Sequence, residues 1–284
     1  MTKFQTRKQF AERNKEERAY RLSFLYPRYP SHPALFPGGF NRSSFNLVVS
    51  RSGDGSSRVA VEMLARMIQS KPYSFNKKFK RPTYKRKPTI LAFVEDRGQF
   101  LNTFYRVITG TYYSGDILRD ATALATVINF VKACRYSIRI IETYFKSSFP
   151  EALEQMREIV DATSGDGKHN VRIVFSDKQL PTEYNPAVDH ESIHWLTRNL
   201  TFIGTHSASR TGVNDHSDLA NLIALPFKLM AKNIVTVSRN NKDERAEVTL
   251  KAVKARGYSP GTMAVHNFDK AFWDFKVVQE NNHV

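Results

Sequence analysis

The chain has 284 residues, of which 41% are hydrophobic, so it can bury one substantial core and carry extensions around it. Its 43 basic and 27 acidic residues give a net charge of +16, which favours a polyanionic partner: DNA, RNA or an anionic membrane surface. No apolar run approaches the roughly 20 residues needed to cross a bilayer, and the charged N-terminus has no apolar signal core. With Cys134 as the only cysteine, we expect an intracellular protein without a disulfide framework, cytoplasmic or nucleoid-associated, with a phage-encoded protein in a host cell as one option.

The first 88 residues are predicted to form a basic N-terminal part. Thr2 to Leu25 has the composition of a charged helix, and Pro-rich and Gly-rich sequence follows it. Phe45 to Val49 is typical of a short strand, and Arg58 to Ile68 is typical of a helix with an apolar face. This strand and helix are expected to form either a small accessory unit or an added edge of the main sheet.

Between that strand and that helix lies a Gly-containing segment, Ser50 to Arg58. A glycine-rich turn between a strand and a helix is the setting of a phosphate-binding loop. However, the P-loop pattern requires Lys before its Ser or Thr, and Ser56 stands in the position of the Lys. We therefore favour a plain turn here. A degenerate P-loop protein is kept as a third option, which requires nucleotide binding that weakens when Gly55 is changed.

The segment from Lys71 to Pro88 is a predicted linker that contacts nucleic acid. It holds eight basic residues, no acidic residue and four aromatic ones. Basic side chains can follow phosphates while aromatic rings stack on bases, which supplies affinity rather than sequence choice. The alternative is a solvated linker that packs on its own domain. The predicted DNA contacts are Lys77, Lys78, Lys80, Arg81, Lys85, Arg86 and Lys87.

Residues 89–233 show an alternating α/β pattern. Thr89 to Val94 and Phe104 to Thr111 are predicted strands, joined as a hairpin by Asp96-Arg97-Gly98-Gln99. Later strands are predicted at Ser137 to Ile141, Val171 to Phe175 and Leu200 to Ile203, and helices at Asp116 to Ala133, Pro150 to Ala162 and Ser217 to Lys232. The tail, residues 234–284, is predicted to hold a strand, Ile234 to Ser238, and a helix, Lys242 to Arg256.

Acidic residues follow the predicted strands in a fixed order. Asp96 follows the strand Thr89 to Val94, Glu142 ends the next one, and Asp215 and Asp218 are three apart at the start of a helix. Carboxylates are hard ligands suited to Mg²⁺ or Mn²⁺, and two such ions can drive phosphodiester hydrolysis. The alternative is ordinary capping by Asp215 and Asp218, with Asp96 and Glu142 as solvated strand ends.

These acidic segments resemble the RuvC-type Holliday-junction resolvases of the RNase H-like superfamily. The resemblance rests on three stretches, Ile90 to Ile108, Ile140 to Leu153 and Asp215 to Ala224, and spans about half of the chain. It implies an RNase H-like mixed central sheet flanked by helices, with Mg²⁺ or Mn²⁺ and a homodimer acting on branched DNA. In this chain Arg97 stands where the family has Pro, and either Glu95 or Asp96 is the first ligand.

Two further residues are candidates for phosphate contact. His216 lies between Asp215 and Asp218 and could orient water or contact the scissile phosphate; a polar surface histidine is the alternative. Lys178 follows the strand Val171 to Phe175 and is either a phosphate ligand or a surface lysine.

The sequence therefore predicts a metal-dependent DNA endonuclease with three parts: a basic N-terminal part (1–88), a nuclease domain (89–233) and a C-terminal extension (234–284). Asp96, Glu142, Asp215 and Asp218 are its predicted metal ligands. The alternatives are a non-catalytic nucleic-acid-binding protein on a decayed nuclease fold and a phage terminase-like nuclease.

Overall fold

The computed structural model describes thirteen stretches of the chain. They are residues 44–51, 53–69, 88–134, 136–142, 149–165, 170–179, 194–195, 200–208, 228, 230–239, 247–255, 262–266 and 274–277. The helices are α1 (Ser56–Gln69), α2 (Arg97–Thr109), α3 (Ala121–Ala133) and α4 (Phe149–Gly165). The strands are β1 (Phe45–Arg51), β2 (Pro88–Val94), β3 (Ser137–Glu142), β4 (Asn170–Gln179), β5 (Thr201–Ala208), β6 (Ala231–Arg239), β7 (Glu247–Ala255), β8 (Thr262–His266) and β9 (Asp274–Val277).

The nine strands of the described stretches form one sheet in the order β3-β2-β4-β5-β1-β6-β7-β8-β9. Every pairing from β3 to β6 is parallel, and β7, β8 and β9 extend the sheet in antiparallel fashion. The predicted mixed central sheet flanked by helices is therefore confirmed. The carboxyl ends of six strands meet at one edge, which is where ligands bind in open α/β sheets.

Strand β1 lies in the middle of this sheet, between β5 and β6. The expectation of an accessory unit or an added edge is therefore wrong. Leu47 and Val49 pack with α4 on one face, whereas Val48 packs with α1 and α2 on the other. Because both faces are covered, the strand is a nearly continuous apolar run, as parallel strands in α/β proteins are.

The predicted hairpin after β2 is absent, because Phe104 to Thr111 is not a strand. Asp96 caps helix α2 by accepting a hydrogen bond from the Gln99 amide at 3.0 Å. Gly110 ends the helix in the left-handed region, at φ 70°. Between the caps, Phe100, Leu101 and Phe104 are buried at helical spacing. Caps and spacing together override the strand preference of the aromatic and β-branched residues.

The predicted helix from Lys242 to Arg256 is also wrong. Its described part is strand β7, which pairs with β6. Val248, Leu250 and Ala252 are buried in strict alternation, and a period of two favours a strand. The other strands and helices predicted within the described stretches are found with shifted ends, α3 starting five residues later than expected. Most of the predicted helix Ser217 to Lys232 lies outside these stretches.

A buried ion pair joins two helices on the same face of the sheet. The Arg106 guanidinium on α2 lies 3.2 Å from the Glu62 carboxylate on α1, and both side chains are almost fully buried.

Within the described stretches, no helix is long and apolar enough to span a bilayer.

We predict that Gly204→Ala destabilises the fold by about 1–3 kcal/mol, the usual cost of overpacking a core. A Cβ at Gly204 would lie 2.4 Å from Cε1 of Phe202. That ring is fully buried and stacks on Phe45 with a centroid distance of 5.0 Å, so it has little room to move. Unfolding in urea measures the change.

Gly165→Ala is the matched control, since a Cβ there meets nothing within 4 Å. We expect it to leave stability unchanged or to raise it by up to about 1 kcal/mol, because Ala favours helix over Gly. Equal effects of the two substitutions would contradict the packing argument.

Candidate functional site

The candidate site lies at the edge where the parallel strands end. The loop after β1 leads into α1, Glu95 follows the last residue of β2, and Asp177 lies near the end of β4. Strand β5 separates β4 from β1 and ends beside the same loop, with Ser50 paired to Ser207. Three strand ends that are far apart in sequence therefore meet around one glycine-rich turn.

The turn between β1 and α1 contains two glycines in the left-handed region of backbone conformation. Gly53 and Gly55 have φ values of 87° and 96°, which L side chains rarely adopt. The Gly55 carbonyl accepts a hydrogen bond from the Val59 amide at 2.9 Å, which starts α1. Such a loop points backbone amides and the positive end of the helix dipole toward an anion.

The loop matches the P-loop sequence pattern at two positions and differs from it at two others. Gly55 stands at the second glycine and Ser57 at the hydroxyl position, but Ser50 replaces the first glycine and Ser56 replaces the lysine. Ser56 is buried, with its hydroxyl 3.3 Å from that of Ser207. The loop thus offers amides and hydroxyls in place of the usual ammonium.

Asp54 gives the loop a carboxylate, which Arg51 and β6 hold in place. Its Oδ2 accepts a hydrogen bond from Arg51 Nε at 2.9 Å and one from the Arg239 amide at 3.4 Å. Arg51 also donates to the Arg239 carbonyl at 2.8 Å. These bonds tie the loop to the end of β6 and neutralise the Asp54 charge locally.

Ser57, Asp177 and Glu95 are linked directly. The Ser57 hydroxyl donates to the Asp177 carbonyl at 3.1 Å, and the Glu95 amide donates to Oδ1 of Asp177 at 3.1 Å. The Asp177 carbonyl therefore contacts the Ser57 hydroxyl of the loop, while the Asp177 carboxylate contacts the end of β2. This arrangement places a loop hydroxyl and two carboxylates at one edge of the sheet.

Burial raises the pKa of Asp177 to about 7, and the negative charges of Glu95 and Asp96 add to the shift. A carboxylate whose charge is this unfavourable is stabilised by a nearby cation. Among the described residues, no group of three or more acidic, His or Cys side chains could hold a metal ion. Mg²⁺ fits this oxygen-rich site nevertheless, because it is usually held by one or two carboxylates together with substrate phosphates.

The structure describes two of the four predicted metal ligands. Asp96 caps α2, and Glu142 is an exposed residue paired with Val94 at the end of the neighbouring strand β3. Asp215, His216 and Asp218 lie outside the described stretches, as do Lys77 to Lys87. Lys178 lies in β4, but its side chain is not among those described. The four-carboxylate grouping and the basic contacts thus stay predictions.

No family model and no curated protein matches the chain. Solved structures do. One is an ATPase domain, 13% identical with a TM-score of 0.61, and the match covers 96% of this chain and 98% of that one. Another is the structure of a DnaB-like replicative helicase and its interactions with primase, 12% identical with a TM-score of 0.61, covering 95% of this chain and 68% of that one. At these identities, the likeness shows a shared fold alone, the RecA-like arrangement of a mostly parallel sheet flanked by helices.

This likeness corrects the functional predictions. The RuvC-type, RNase H-like resemblance is wrong, and so is the two-metal endonuclease acting on Holliday junctions that followed from it. The decayed nuclease fold and the terminase-like nuclease are not supported either. The physical reason is visible after β2: an RNase H-like sheet opens with an antiparallel hairpin, whereas here β2 pairs in parallel with β3 and β4.

Two residues of the site were missed in the sequence, Ser57 and Asp177. The signal for Asp177 was an apolar run, Val171 to Phe175, that ends in Ser-Asp, the setting of a carboxylate at the end of a buried parallel strand. Ser57 was passed over because the lysine before it is missing. The missing lysine is also why the sequence favours a plain turn for this loop and keeps a degenerate P-loop only as a third option.

We predict that the free energy of unfolding of Asp177→Asn increases relative to that of the unchanged protein as the pH rises. With a pKa of about 7 against an ordinary value of 3.8, the folded state binds the Asp177 proton more tightly than the unfolded state. The free energy of unfolding therefore falls between about pH 4 and pH 7, and the asparagine removes this fall. Urea unfolding at pH 4.5, 6 and 8 measures the difference.

Asp161→Asn on the exposed side of α4 is the charge-matched control, and its difference from the unchanged protein should vary little with pH. Parallel curves for Asp177→Asn and the unchanged protein would contradict the assignment.

Proposed function

We propose that the chain is a nucleotide-binding P-loop domain of the helicase ATPase type, which binds a nucleoside triphosphate with Mg²⁺ at the turn after β1. The observation that carries the proposal is the contact of Ser57 with Asp177 beside a loop with two positive-φ glycines. In a P-loop, the hydroxyl at this position serves Mg²⁺ while the loop amides hold phosphates.

Ser57 and Asp177 would hold the metal, with Asp177 acting directly or through water. When bound, Mg²⁺ neutralises phosphate charge and favours phosphoryl transfer. It would also relieve the unfavourable charge on Asp177 that burial creates. The hydroxyl of Ser57 is exposed and can turn from the Asp177 carbonyl toward a ligand by rotation about one bond.

Glu95 is the residue placed to act on water. It is exposed, it directly follows a buried strand, and its amide is fixed by Asp177 at 3.1 Å. A carboxylate in this position can orient a water molecule and accept its proton as the water attacks phosphorus. Asp96 is engaged as the cap of α2, so Glu95 is the better candidate for this role.

Ser56 favours a second candidate function, binding without turnover. The P-loop lysine reaches the β- and γ-phosphates, where charge develops during transfer, and a serine hydroxyl cannot supply that charge. A domain with this loop is expected to bind nucleotide more readily than it hydrolyses it. Release of phosphate by the purified protein, with and without single-stranded DNA, separates the two functions.

Nucleic acid is the proposed partner. The chain has a net charge of +16, and the segment Lys71 to Pro88 carries eight basic residues without an acid. One of the similar structures is a replicative helicase. We propose that this basic segment contacts DNA phosphates, so that binding weakens as salt concentration rises.

We predict that Ser57→Ala weakens Mg²⁺-dependent nucleotide binding by at least about tenfold, since a hydroxyl that serves a charged group is lost. Titration of a fluorescent nucleotide with and without Mg²⁺ measures it. Ser57→Thr is the matched control and should retain binding, because the pattern accepts either hydroxyl. If Ser57→Ala binds as well as Ser57→Thr, the metal-binding role of Ser57 fails.

We predict that Ser56→Lys tightens nucleotide binding by about tenfold or more and raises phosphate release, because a charge-assisted bond to phosphate is restored. Ser56→Met is the matched control, with a long side chain but no charge, and should do neither. Equal affinities of the two variants would show that nucleotide does not occupy this loop.

A further inference from the structure

The backbone of β4 is irregular where Asp177 lies. Ser176 is paired with Gly204, but the next paired residues are Gln179 and Thr205. Asp177 and Lys178 are therefore extra residues on β4, which form a bulge opposite the regular strand β5. Bulges next to functional sites redirect a side chain and take its backbone out of the ladder. Here the bulge leaves the Asp177 carbonyl to be bonded by side chains.

Two hydroxyls donate to this one carbonyl, and their surroundings differ. Thr205 Oγ1 lies 2.6 Å from the Asp177 oxygen, and Ser57 Oγ lies 3.1 Å from it. Thr205 is 1% exposed and β-branched, so packing on β5 fixes its side chain. Ser57 is exposed and unbranched, and its hydroxyl can rotate away. One bond is thus built into the sheet, and the other can be exchanged for a ligand.

We propose that Thr205 is a positioning residue, which holds Asp177 in place when the Ser57 hydroxyl turns to the Mg²⁺-nucleotide. The inference rests on the function proposed above. A partly buried carbonyl without a donor is unfavourable, and the Thr205 bond prevents that state when Ser57 leaves. The Asp177 carboxylate accepts a hydrogen bond from the Glu95 amide. By holding Asp177, Thr205 therefore also fixes the distance between Asp177 and the end of β2.

The first test uses an isosteric change. Thr205→Val removes the hydroxyl but keeps the shape and the strand preference of the side chain. It is expected to weaken Mg²⁺-dependent binding of a fluorescent nucleotide on the order of tenfold, because one net hydrogen bond is lost. Binding without Mg²⁺ should change little. Thr205→Ser restores the hydroxyl and should restore Mg²⁺-dependent affinity, which a purely packing role for the threonine methyl would not predict.

The second test needs no nucleotide. Hydrogen exchange at the Glu95 amide reports whether the Asp177 carboxylate stays in place, because that amide donates to it. We expect Thr205→Val to speed exchange at Glu95, Ser57→Ala to leave it nearly unchanged, and the double variant to speed it most.

Exchange at Glu95 as slow in Thr205→Val as in the unchanged protein would overturn the proposal. So would an acceleration in Ser57→Ala equal to that in Thr205→Val, since Ser57 would then be the residue that holds Asp177. If the unchanged protein fails to bind nucleotide, the proposed function fails, and the exchange rates still decide which hydroxyl fixes Asp177.

Discussion

The parallel pairing of β1 with both β5 and β6 is the constraint on which the site depends. A strand covered on both faces and bonded on both edges cannot slip, because a shift of one residue would exchange the side chains of its two faces. The turn that follows β1 therefore leaves the sheet at a fixed point. Ser57 meets Asp177 there because β5 and β4 stand next in the same parallel array and end at the same edge.

The sequence allowed most of the elements to be predicted, but not their arrangement. Strands such as β1 and β4 are apolar runs bounded by turn residues, and α1 and α4 have clear helical spacing. The order of the strands in the sheet depends on which apolar faces pack together, although they are far apart in sequence. A local sequence pattern does not predict that order. An error in residue period at α2 produced the predicted hairpin in place of a helix between parallel strands. A separate error at β7 produced a predicted helix in place of a strand. The resemblance that included this hairpin also supplied Asp96 as a metal ligand. That role stays a prediction, and in the structure the Asp96 carboxylate caps α2.

The electrostatics of the site contrast with those of the whole chain. The protein carries a large positive charge, yet Glu95, Asp96 and Asp177 are gathered at the sheet edge, and Ser56 stands where P-loops have an ammonium. Arg51, the cation nearest in sequence to the loop, is engaged with Asp54. The positive charge that balances a bound triphosphate is therefore supplied by Mg²⁺ that binds together with the nucleotide, or by residues outside this turn.

The ion pair between Glu62 and Arg106 has a mechanical consequence. Removing one partner of this pair would leave the other charge buried in an apolar layer, at a cost of about 3–5 kcal/mol. The pair therefore couples α1, which follows the glycine turn, to α2, which follows Glu95 and Asp96. The two segments that border the site are thus anchored to the same part of the helical layer, although they are far apart in sequence.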